Sequence, residues 1–268
     1  MALDSSIVIF GKIPSQSDFV RFNASGPDVR SFDQWVQEGM YLSARRFDKE
    51  WDRRYKEAGG YTFLYRNEQV LYGFLYPSRD RSERKYPFMI SLRINSDFFR
   101  HGEYFLLPLV FKQKLKEIRS LVIKGINGMP MDELIQQTSS PEGFRPEETE
   151  LYSSDFNTFL ESTTMESLWE RLFGESFSRT EEVFVKKLSE ALDPFRLKES
   201  VRMSYGLCFP LSETISEQEY EICFWLSVCR LMINKMSFFP FLFWKDPAVN
   251  KKNFLYIFFD RPPGRFFL

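Results

Sequence analysis

The stretch Phe10-Gly11-Lys12-Ile13-Pro14-Ser15-Gln16-Ser17-Asp18-Phe19-Val20 decides how the rest of the chain is read. It follows the apolar run Ile7-Val8-Ile9 and precedes a long amphipathic pattern, so it reads as strand, polar turn, helix. Gly11 can take a positive φ, while Pro14 fixes its own φ and pushes Ile13 towards an extended shape. Ser15, Ser17 and Asp18 can each bond nearby backbone N–H groups and hold the turn. Such residues shape turns in loops of every function, so spacing alone names no chemistry here. Gly11-Lys12 with a later Ser has the residues of a phosphate loop without its spacing, because no Gly precedes Gly11.

Downstream, Ser25-Gly26-Pro27-Asp28 reads as a helix start, with a capping side chain, an early Pro and an acid in the first turn. Phe32, Trp35, Val36, Met40, Phe47 and Trp51 fall on one helical face, and Glu38, Arg45, Asp48 and Arg53 on the other. Trp35 and Trp51 therefore read as core residues, and Gly59-Gly60 ends the helix. Tyr61 to Tyr65 and Val70 to Tyr76 form a hairpin pattern around Arg66-Asn67-Glu68-Gln69. A second charged stretch follows, Pro77-Ser78-Arg79-Asp80-Arg81-Ser82-Glu83-Arg84-Lys85-Tyr86-Pro87-Phe88, and leads into the β-prone run Phe88 to Ile94. By charge alone it is a solvated basic loop, with Arg79, Arg81, Arg84 and Lys85 set against Asp80 and Glu83.

The two stretches together resemble the TagF (ImpM) family of type VI secretion-associated proteins. The first resembles its N-terminal signature, through Phe10, Gly11, Lys12, Pro14, Ser15, Asp18 and Phe19. The second resembles its Pro-Ser…Asp-Arg…Arg…aromatic-Pro signature, through Pro77, Ser78, Asp80, Arg81, Arg84, Tyr86 and Pro87, and the helix bearing Trp35 lies between them. The resemblance covers about residues 7 to 95. Glu83 stands where the family usually has Gly, which matters for the loop's shape because a positive φ is costly for Glu.

The middle of the chain is mostly helical. Glu103 to Leu121 is interrupted early by Pro108, Ser139 to Glu150 reads as an exposed acidic loop, and Asp155 to Leu160, Thr164 to Phe173 and Glu181 to Leu192 read as short helices. Asp193-Pro194 is expected to stop the last of them. Val201 to Phe209 reads as a strand, Ser216-Glu217-Gln218-Glu219 opens a helix reaching about Lys235, and Asp260 to Gly264 is a turn. Phe239 to Trp244 and Phe254 to Phe259 are continuous apolar runs, expected as strands buried on both faces. Strands at both ends with helices between predict an α/β fold: a mixed β-sheet flanked by helices in an αβα layering, with a helical middle region. The resemblance implies the same layering. Residues 1–268 are expected to form a single TagF-like domain, with Ser140 marking a candidate sub-boundary.

Composition bounds the function. The chain has 268 residues, 43% hydrophobic and 27% charged, with 30 Phe and 5 Trp, as expected of a globular protein with an aromatic core. A net charge of −1 gives no bulk drive towards nucleic acid. The first residues lack a signal-peptide pattern, and no apolar run is long enough to span a bilayer, so no membrane insertion is expected. Cys208, Cys223 and Cys229 lack paired metal-ligand spacing and read as reduced thiols of a cytoplasmic protein. The single histidine, His101, lies in a polar turn without a nucleophile-elbow serine, and Glu147-Glu148 are acids of loop sequence. No catalytic residue, cofactor or metal site is expected.

The resemblance implies a cytoplasmic, post-translational repressor of type VI secretion assembly that acts by protein–protein interaction, with a forkhead-associated scaffold protein as a type of partner. On this reading the signature loops form one composite basic and polar patch, or their matched residues bond each other and maintain the fold. Two other readings stay open: a phosphate-directed hydrolase using Lys12, Arg81 and Arg84 as clamps, and a scaffold module that binds a small GTPase. Asp18 is the expected carboxylate partner of loop N–H groups, of Arg81 or Arg84, or of both.

Overall fold

A computed structural model describes residues 5–95, 104–138, 149–174, 180–197, 205–214, 217–233, 239–245 and 253–267. His101, Glu147-Glu148 and most of the expected acidic loop lie outside the described residues. Strands β1 (Ser5–Gly11), β2 (Val20–Phe22), β3 (Tyr61–Arg66), β4 (Gln69–Tyr76), β5 (Phe88–Asn95), β6 (Gly206–Leu211), β7 (Phe241–Lys245) and β8 (Asn253–Phe258) form one sheet in the order β2-β1-β5-β4-β3-β7-β8-β6. The α/β layering is the expected one. The pairing is antiparallel throughout rather than mixed. Short connections such as those between β1 and β2 and between β3 and β4 can make only antiparallel neighbours, whereas a parallel pair needs a crossover.

The period-2 alternation of the strands sorts side chains into two layers. Val8, Phe10, Phe63, Tyr65, Leu71, Leu75, Met89 and Phe243 meet α1 (Pro27–Phe47) on one face. Ile9, Leu64, Tyr72, Phe74, Phe88, Ile90 and Leu242 face the opposite layer, which includes α4 (Lys112–Ile126) and α9 (Gln218–Ile233). The β3–β7 pairing joins the N-terminal and C-terminal strands into this one sheet. On the α1 side Trp35 is 2% exposed and packs on Phe32, Phe243 and Phe267, which makes this signature residue a core residue.

Five local expectations are corrected. The first signature loop joins β1 to the short strand β2, so strand, loop and strand precede the helix. Gly26 caps α1 without any side-chain bond, and Pro27 opens it. The expected stop at Asp193-Pro194 does not occur: α8 (Thr180–Leu197) runs on past Pro194, where buried Phe195 packs 4.5 Å from the Phe259 ring and secures the last turn. The long first helix breaks at Asp48, at φ 44, before α2 (Trp51–Glu57). Strand β8 is not buried on both faces, since Phe254 is 36% exposed.

Candidate functional site

The two signature loops meet. Gly11 ends β1 at φ +127 directly against the second loop, and a Cβ there would lie 2.1 Å from the Pro87 carbonyl oxygen. This is a backbone approach that only glycine permits. Lys12 follows, 6% exposed, with its Nζ 2.9 Å from Oδ2 of Asp80 and 5.0 Å from the centre of the Phe19 ring. Phe19 in turn stacks on Phe10 at 5.6 Å and meets Tyr86 edge-on at 4.7 Å. An ammonium held between a carboxylate and an aromatic face is stabilised by both.

Asp80 is the hub. Its side chain is 0% exposed, and it accepts bonds from the backbone N–H groups of Ser82 and Arg84 at 2.9 and 3.0 Å and from Arg84 Nε at 2.7 Å. Burial would raise its carboxyl pKa, but the bond from Lys12 and those from Arg84 outweigh burial and hold the group down at about 2. The arginines reach back across the gap: Arg81 Nη2 donates to the Ser15 carbonyl at 2.7 Å, Arg81 N–H donates to the Gln16 carbonyl at 2.8 Å, and Arg84 Nη2 donates to the Ser17 carbonyl. Ser15 Oγ bonds the Met129 carbonyl at 3.3 Å, which ties the first loop to the helical layer.

Of the alternatives expected for Asp18, the bond from a loop N–H is the one seen. Its exposed carboxylate accepts the Phe19 N–H at 2.8 Å, but Arg84 pairs with Asp80 and Arg81 with loop carbonyls. Lys12, Arg81 and Arg84, considered as a phosphate clamp, are all committed to holding the loops. Glu83 keeps the shape that the family makes with glycine: it sits at φ 63, paired with Arg79.

Residues outside both signatures complete the assembly. Tyr55 of α2 donates its hydroxyl to the Ser78 carbonyl at 3.0 Å and accepts the Ser78 N–H at 3.1 Å, and burial pushes its pKa up. Tyr86 donates to Asp33 Oδ1 at 2.5 Å, and Lys85 meets Asp52 at 2.5 Å. Asp28 and Arg93 form a further ion pair at 2.7 Å, 3% and 15% exposed. Tyr55, Asp33 and Asp52 carried no signal in the sequence, and Asp28 read only as a first-turn acid of α1, because their partners lie tens of residues away. Of the residues expected at the site, Gly11, Lys12, Ser78, Asp80 and Pro87 are buried within it, while Asp18, Arg81 and Arg84 reach its outer surface. Pro14 and Pro77 border a ≈ 460 Å³ cleft beside it.

Residues 8–138, which contain both loops, match the family described as TagF N-terminal domain, type VI secretion system-associated. These residues form a TagF N-terminal domain. The match extends the likeness read from the two signatures beyond β5 through α4 and α5 (Met131–Thr138). Among solved structures the chain is similar to PA0076 from Pseudomonas aeruginosa PAO1, with a TM-score of 0.46 and 20% identity over 52% of this chain. That likeness spans 66% of the PA0076 chain, just under two thirds of its length. No curated protein matches the chain at a significant level. Among the described residues no helix of the TagF-domain protein is long and apolar enough to cross a membrane, and no group of three or more His, Cys, Asp or Glu could hold a metal ion.

Proposed function

We propose that this type VI secretion-associated protein is a post-translational negative regulator of secretion-system assembly, acting in the cytoplasm by protein–protein interaction. The observation that carries the reading is the joining of the two signature loops around the buried Lys12–Asp80 pair. A rigid platform of this kind suits recognition, because pre-ordered groups lose little freedom when a partner docks. The residues that face outwards from it, Gln16, Ser17, Asp18, Arg81, Ser82 and Arg84, offer hydrogen-bond donors and acceptors of both charges. Repression by binding demands only a surface that competes for a component, and a forkhead-associated scaffold protein is the partner type implied by the family resemblance.

The test is overproduction in a strain with an active system. Needle-tube protein in the medium should fall while transcripts of the secretion genes stay constant. Unchanged secretion, or a fall explained by lower transcript levels, would contradict the reading.

A further inference from the structure

Beside the joined loops, the ≈ 460 Å³ cleft opens between α2 and the second loop. That volume lies within the range of small-ligand and side-chain pockets. Its lining is mixed: Pro14, Pro77, Ile126 and the ring of Tyr55 are apolar, while Lys56, Arg79 and Lys85 stand against Asp52 and Glu83, so cations outnumber anions by one. Lys85 pairs with Asp52 and Arg79 with Glu83, and the acidic partner of each pair is exposed, at 70% and 67%. Exposed pairs of this type contribute little to stability and exchange partners readily. Lys56 makes no salt bridge among the described residues, and its charge acts on Asp52 nearby. Ser78 lines the same cleft, is 7% exposed, and its hydroxyl has no hydrogen-bond partner among the described residues. A buried hydroxyl left unpaired is uncommon in a folded protein and calls for an acceptor.

We propose that this cleft receives an acidic side chain from the partner, with a neighbouring apolar side chain seated against Pro14, Pro77 and Ile126. The incoming carboxylate joins Lys56, Arg79 and Lys85 while Asp52 and Glu83 stay on the wall, so that Lys56 supplies the surplus positive charge and the Ser78 hydroxyl a donor. The proposal rests on the regulator reading above and names the recognition chemistry of its partner. A single carboxylate matches the one-charge excess of the wall, whereas a phosphate dianion would exceed it.

The test uses the full chain, isotope-labelled, titrated at low ionic strength with the capped dipeptide N-acetyl-leucyl-glutamate amide. The glutamine analogue and inorganic phosphate serve as comparison probes. The glutamate peptide should shift the amide signals of Ser78, Arg79 and Lys85 with millimolar affinity, and the other two probes should bind at least about tenfold more weakly. Arg79→Gln with Lys85→Gln should abolish the shifts and relieve repression in cells while the remaining spectrum is unchanged. Lys56→Gln, at an exposed position, should weaken binding severalfold and serves if the double variant misfolds. No shifts from the glutamate peptide up to about 10 mM, or equal binding of the glutamine analogue or of phosphate, would overturn the proposal. So would full repression by a variant that no longer binds the peptide. Failure of the regulator reading shows separately, as unchanged secretion when the parent protein is overproduced.

Discussion

Nζ of Lys12 lies 2.9 Å from Oδ2 of Asp80, and the two side chains are 7% and 0% exposed. One residue belongs to the first signature loop and the other to the second, 68 positions on, so a single buried ion pair joins the two stretches that identify the domain. Arg84 shares the same carboxylate oxygen from the solvent side, 56% exposed. The pair acts as a rivet for the loops, and removing one half leaves the other as an uncompensated buried charge.

Removal of the carboxylate should therefore cost more than removal of either cation. Asp80→Ala strands Lys12 and frees two backbone N–H groups, and should destabilise by about 3–5 kcal/mol in urea unfolding. Lys12→Met leaves Asp80 with Arg84 and both N–H groups and should cost less. Asp18→Asn, whose side chain can still accept the Phe19 N–H, should stay within about 0.5 kcal/mol of the parent. Equal losses for Asp80→Ala and Asp18→Asn would remove Asp80 from the centre of the site.

The same carboxyl predicts an acid limit. Its pKa is held at about 2 in the fold against an ordinary value of 3.8, so the unfolded chain binds the proton first as pH falls. The stabilisation is fully present above about pH 3.8 and is lost as pH drops through about 2. Melting temperature followed over this window should fall more steeply for the parent than for Asp80→Asn, which lacks the titrating group. Parallel curves would show that other carboxylates set the acid limit.

Gly11 is irreplaceable for two reasons that add. At φ +127 any other residue is strained by about 1–3 kcal/mol, and a Cβ would meet the Pro87 carbonyl oxygen at 2.1 Å. Gly11→Ala should lower stability by more than the strain alone, as the end of β1 is forced away from Pro87. A melting temperature equal to that of the parent would contradict this packing.

Glu83 makes the opposite prediction. At φ 63 it occupies the left-handed region at a cost of about 1–2 kcal/mol, partly offset by its exposed pair with Arg79. Glu83→Gly relieves the strain but gives the unfolded chain more freedom, so thermal unfolding should show a gain of about 0–1 kcal/mol. Glu83→Val, β-branched at a positive φ, should lose stability. A large loss from Glu83→Gly would mean that the Arg79 pair, not the backbone, governs this turn.

Much of this architecture was legible because hydrophobic period dominates local structure. The β-prone runs Tyr61 to Tyr65, Val70 to Tyr76 and Phe88 to Ile94 marked β3, β4 and β5 to within a residue or two, and the polar stretches between them marked the loops. The short strand β2 escaped, because Val20–Phe22 offers too few residues to establish a period. Pro194 misled, since a proline near the end of a helix is tolerated when tertiary packing, here Phe195 on Phe259, holds the last turn. At the site, the meeting of the two loops could be expected from their charges. The choice of Asp80 over Asp18 could not: burial depends on where Lys12 projects from β1, and the Tyr55–Ser78 bonds depend on how α2 docks.

The most direct test of the regulator account is complementation of a deletion strain. Needle-tube protein in the medium is measured without the protein, with the parent chain restored, and with Asp80→Ala restored at matched protein level. The account predicts raised secretion on deletion, return to the low level with the parent, and failure of Asp80→Ala to restore it, with secretion-gene transcripts constant in all three. Secretion that does not change on deletion, in a strain whose system is active, would contradict it.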